Sequence, residues 1–155
     1  MFTKATRIMK SLRNFLIFLL AFLGLGALAG GVVLILAPNG DLIDMPVSIL
    51  EKSPFTNFFI PGLILFSILG LFPLFLIMLL IKKYNSSFAE KFNCFTDMHW
   101  SWSFSLYIGF ALIIWIQIQM QFIQMVHLFH IIYTFLGIAI IFTALLPQVR
   151  KLYIK

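Results

Sequence analysis

The side chains best able to do chemistry are Gln117, Gln119, Gln121, Gln124, His127 and His130, gathered in the middle of a long apolar stretch. At 100° per residue on a helix, Gln117, Gln121 and Gln124 fall within about 60° of one another, and Gln119 points nearly opposite. An amide without a partner in hydrocarbon is costly, so this stripe must face neighbouring helices or water. Two readings follow. The glutamines tie helices together, at roughly 0.6–2 kcal/mol per hydrogen bond. Alternatively, Gln117, Gln121, Gln124, His127, His130 and Trp115 form a polar ligand site whose apolar walls include Phe55, Phe58 and Phe59.

The two histidines stand i, i+3, a spacing at which two imidazoles can share a metal with Asp41, Asp44 or Glu51. No third ligand is fixed by the sequence, so no metal is expected. Interfacial histidines that hydrogen-bond to glutamine or water explain the pair more simply, and a pH-responsive or ligand-polarising role is the alternative, since His titrates near neutrality. His99 lies near the opposite membrane face, so a haem held between it and His127 would have to cross the bilayer. Catalysis is poorly supported as well. The acids Asp41, Asp44, Glu51, Glu90 and Asp97 all lie outside the apolar runs, and no motif sets a nucleophile beside a base. The expectation is a non-enzymatic protein without a cofactor.

These residues are carried by apolar spans. Ten of the eleven basic residues fall in three groups: Lys4, Arg7, Lys10 and Arg13; Lys82, Lys83 and Lys91; Arg150, Lys151 and Lys155. Long, nearly uncharged runs separate the groups, and 62% of the chain is hydrophobic, which points away from a soluble domain. Lys and Arg resist translocation, so both termini and the 82–100 segment are expected in the cytoplasm. The net charge of +6 is explained by this topology and by anionic headgroups, without nucleic acid. The expected fold is all-α: one polytopic domain over 1–155, with a bundle of four transmembrane helices at about 14–37, 58–81, 101–122 and 127–147.

The start of the chain resembles a secretory signal, with Ala27-Leu28-Ala29 before Gly30. The apolar run nevertheless continues to Ala37 and reaches roughly 36 Å as a helix, so an uncleaved first span is expected. The stretch 103–147 would be roughly 68 Å as one helix and must fold back within a bilayer core of about 30 Å. Its turn belongs among the glutamines and histidines, although no Gly, Pro or Asn marks it.

Pro38-Asn39-Gly40-Asp41 is a turn, and Pro46 opens a short interfacial helix. Pro61-Gly62 and Pro73 predict bends in the second span. Ser87-Phe88-Ala89-Glu90 reads as a capping box, and Phe88, Phe92 and Phe95 recur at helical spacing, so an amphipathic helix is expected over 87–97 on the inner surface. His99, Trp100 and Trp102 follow at headgroup depth. The lone Cys94 falls in this segment and permits no intrachain disulfide. Along the first span, Gly24, Gly26, Gly30 and Gly31 open a groove for close packing, with Ser67 and Gly70 as receivers.

Residues Leu36-Ala37-Pro38-Asn39-Gly40 through Leu50, Ser53-Pro54-Phe55 and Ile60-Pro61-Gly62 resemble a pattern in small uncharacterised bacterial four-helix membrane proteins. The resemblance covers about residues 24–75. It implies a multi-pass protein of the bacterial inner membrane and transfers no chemistry. The leading expectation is an accessory subunit that binds a membrane protein partner or a second copy of itself. The alternatives are a binder or modifying enzyme for a lipid-like molecule near the outer leaflet, and an oligomeric channel lined by glutamine.

Overall fold

A computed structural model describes residues 4–155. Among these the chain is all-helical, 75% helix without strands, and holds four helices long and apolar enough to cross a membrane. They are α1 (Lys4–Leu36), α2 (Phe59–Lys82), α3 (Trp100–Ile123) and α4 (Leu128–Leu145). Helix α1 begins ten residues before the expected span. Its 33 residues come to about 50 Å, so the turns holding Lys4, Arg7, Lys10 and Arg13 extend past the apolar length.

Glycines set how closely the helices approach. A Cβ on Gly24 would lie 3.1 Å from Gly70 O, and one on Gly31 would lie 2.7 Å from Phe66 N. Gly62 meets α1 in the same way, 3.2 Å from Gly31 O. Thus α1 and α2 nearly touch backbones along Gly24, Gly31, Gly62 and Gly70. Helices α3 and α4 cross at Gly109 and Gly137, the one glycine of each helix, where a Cβ on either would sit 3.1 Å from the other's carbonyl. Ser67 turns its hydroxyl onto the Leu63 carbonyl of its own helix at 2.7 Å.

Helix α2 is not regular. Leu65–Leu71 is a π segment, where Phe72 N–H reaches back to Ser67 O, and Pro73 follows directly. Proline lacks the amide that would continue an α ladder, and the wider turn lies next to that gap.

The amphipathic helix expected over 87–97 does not form: only Ser87–Glu90 is helical. Its cap is Ser86, whose Oγ accepts the Ala89 amide at 3.2 Å, one residue earlier than the capping box implied. Asn93 unwinds the rest. Its Nδ2 donates to Met98 O at 2.8 Å and to Glu90 Oε2 at 3.0 Å, and its Oδ1 accepts Ser103 Oγ at 2.6 Å. A side chain holding three distant partners fixes a compact knot instead of a helical face.

Between α3 and α4, Gln124 takes the left-handed conformation (φ 54) that glycine or asparagine would favour, and its amide closes on Met120 O at 2.9 Å. The chain then re-enters helix at Leu128. Within 38–57, Gly40 (φ 82) makes the turn, since a Cβ there would lie 1.9 Å from Met45 O. Pro46 precedes a 3-10 turn over Val47–Leu50.

Candidate functional site

The end of the molecule bearing residues 38–57 and 124–127 contains a cavity of about 230 Å³ between α1, α3 and α4. Gly26, Ala27 and Gly30 form its α1 wall, Leu112, Trp115, Ile116 and Gln119 come from α3, and Phe129, His130 and Tyr133 from α4. Leu65, the first residue of the π segment, contributes from α2. A second, apolar cavity of about 120 Å³ shares Trp115 and Gln119 with the first, and Phe55, Phe58 and Phe122 help line it.

On α3 the spacing 112, 115/116, 119 presents one face to this space. Trp115 lies where the two cavities meet. Its Nε1 is buried and has no acceptor. The other two indoles differ, since Trp100 donates to Tyr84 O at 2.9 Å and Trp102 to Ala144 O at 2.7 Å. A buried donor left unpaired costs about 1–3 kcal/mol, so such a group calls for a physical explanation.

His130 is 7% exposed, and its Nδ1 accepts the amide of His127 at 3.1 Å. A neutral imidazole engaged in that way carries its proton on Nε2. Tyr133 reaches across to α1, where a Cβ on Gly26 would stand 2.5 Å from its hydroxyl. The absent side chain of Gly26 therefore makes room for a phenol. Gly26 and Gly30, read from sequence as a packing motif, border the cavity.

The residues expected to form a polar site do not share one face. Gln117, Gln121, Gln124 and His127 are exposed on the outside of the molecule, and only Trp115 and His130 of that set line the cavity. Gln124 accepts a hydrogen bond from the Lys52 ammonium. Gln119, opposite the stripe, is the glutamine that faces inward. Gln119 and Tyr133, outside the expected set, line the cavity, and the register of Gln119 with Leu112, Trp115 and Ile116 marks it in the sequence. Of the proposed apolar walls, Phe55 and Phe58 line the second cavity and Phe59 is exposed.

His127 and His130 have ring centroids 5.7 Å apart, and among the described residues no three His, Cys, Asp or Glu side chains gather as a metal site. The arrangement offers hydrogen-bond donors and an adjustable amide inside apolar walls, which suits binding.

Comparison with family models, with curated proteins and with solved structures finds no match to this chain. What the chain does is therefore read from the chemistry of the site.

Proposed function

We propose that this chain is a four-helix bundle embedded in a lipid bilayer, and that it binds a small membrane-soluble molecule in the cavity beside Trp115. The observation that carries the proposal is a cavity whose apolar walls also hold Gln119, His130 and Trp115, the last with a buried indole N–H that no protein group accepts. Apolar walls with a few polar groups are the usual make-up of a small-molecule site. We read the role as non-enzymatic: the lining is mostly apolar, and its polar side chains, Gln119, His130, Tyr133 and Trp115, suit hydrogen bonding to a bound molecule.

The grouping of basic residues supports a topology with both termini in the cytoplasm, which puts the cavity in the outer half of the membrane. The resemblance over residues 24–75 supports the bacterial inner membrane. A reporter fused after Lys155 is expected to be active only if it functions in the cytoplasm; activity of a periplasm-dependent reporter there would reverse the orientation.

Native mass spectrometry of the protein, released from its own membranes in mild detergent, tests the binding function. A stoichiometric small-molecule adduct is expected. A bare chain throughout would contradict it.

A second reading, an accessory subunit that docks a partner helix or another copy, is favoured by the outward stripe on α3. Gln117 and Gln121 are exposed there among Phe110, Ile114 and Ile118, and amides facing lipid gain from a polar partner. Affinity isolation that recovers only monomer would remove this reading.

A further inference from the structure

We infer that the ligand of the Trp115 cavity is a neutral hydrogen-bond acceptor of the carbonyl class, a quinone-like ring held by Trp115 and His130 as donors; this rests on the binding function proposed above. Indole nitrogen can only donate, so the unpaired Nε1–H of Trp115 asks for an acceptor. His130 adds a second donor. Its Nδ1 is already occupied by the His127 amide, which leaves the Nε2–H of a neutral ring as the group it can offer. Both residues line the same cavity.

The charge of the occupant follows from what is missing around it. The lining holds no Lys, Arg, Asp or Glu. A carboxylate or phosphate would be desolvated there without a countercharge, and an ammonium would face the same penalty. A carbonyl oxygen accepts two hydrogen bonds and carries no net charge, so it matches the donors without that cost. Phe129, Tyr133 and Trp115 provide ring surfaces for a flat head. The adjoining apolar cavity, bounded by Phe55 and Phe122, lies where a hydrocarbon tail attached to that head would run. Gln119 borders both spaces and can donate or accept according to the ring's substituents.

The test uses the full chain in mild detergent with its tryptophan indoles labelled with nitrogen-15. Three tryptophans give three indole N–H resonances, and only that of Trp115 lacks a carbonyl partner. Titration with decyl-benzoquinone is expected to move the Trp115 resonance downfield and to leave the other two in place. Decanoate and decylamine are expected to move none. Trp115→Phe keeps an aromatic ring, removes the signal and is expected to weaken quinone binding about 5-fold, the worth of one neutral hydrogen bond. The wild-type titration needs no variant, so it decides the matter even if that substitution fails to fold. A shift with decanoate and none with the quinone overturns the inference while leaving the proposed function. No response to any of the three probes also overturns the inference, and a native spectrum without an adduct would then remove the proposed function as well.

Discussion

At the end carrying the C-terminus, Asn93, Ser103, Trp102 and Tyr153 all direct their polar atoms at carbonyl or side-chain partners between 2.6 and 2.8 Å away. The terminal residues are drawn into the same network: the His99 amide donates to Tyr153 O at 2.7 Å, and Lys155 pairs with Glu90 at 2.7 Å. Lys83 donates to the Leu152 carbonyl and lies over the Tyr153 ring. The C-terminal end also has an apolar cavity, of about 780 Å³, lined by Phe72, Phe88, Trp100 and Phe104, whereas the opposite end combines its smaller cavity with an unpaired indole N–H and glutamines aimed outward. Both ends contain buried aromatics and buried histidine. They differ in whether the polar atoms are used internally. A satisfied network fixes one conformation, whereas unused donors beside a cavity remain open to another molecule.

One group at the C-terminal end resembles those at the other. His99 Nε2 is also buried without a partner, yet His99 lines neither cavity beside Trp115. Its ring stacks on Trp100, and its Nδ1 lies 2.8 Å from Ser101 Oγ. An unpaired donor thus points to a ligand only where space adjoins it.

The largest expected effect breaks the satisfied end. Asn93→Ala strands Ser103 Oγ, Met98 O and the Phe95 amide, and is expected to cost about 2–4 kcal/mol, read as a lower Tm in detergent. Next, Gly137→Val forces α3 and α4 apart at their crossing. Overpacking of this kind costs about 1–3 kcal/mol, measurable by the same thermal melt.

Trp115→Phe acts in the other direction and sharpens the contrast. It removes an unpaired buried donor, so the unliganded protein is expected to gain about 1 kcal/mol while losing affinity for its ligand. A lower Tm would mean that the N–H is used within the protein.

The pH dependence belongs to the satisfied end. Burial lowers the His99 pKa below its ordinary 6.5, with Glu90 opposing and Lys83 assisting. The unfolded chain therefore binds the proton more readily, so stability is full above pH 6.5 and falls as the pH drops below it. His99→Gln is expected to flatten that part of a Tm-against-pH curve. The smallest effect belongs to Lys155→Met. It removes a half-exposed ion pair and is expected to change stability by less than about 1 kcal/mol.

Much of the fold was legible because hydropathy and charge act over whole helices. The four apolar runs and the turn at Pro38–Asp41 follow from residue type alone. The site was less legible. Gln117, Gln121 and Gln124 outnumber Gln119, so a rule that turns polar residues inward selects the wrong face of α3. The choice is made by packing, where Gly109 against Gly137 fixes how α3 is rotated on α4. In the same way, helical spacing at Phe88, Phe92 and Phe95 was overridden by one side chain, Asn93, whose partners lie up to ten residues away. Local periodicity carries no information about such partners.

The measurement closest to the central claim compares the native mass spectra of the wild type and of Gly30→Leu, released from the same membranes. Gly30 lines the cavity, and its nearest obstacle is the flexible end of Leu65 at 3.3 Å, so a leucine there occupies the space without striking backbone. An adduct is expected on the wild type, with its loss from Gly30→Leu at an equal Tm. An adduct retained equally by both proteins would place the ligand elsewhere and contradict it.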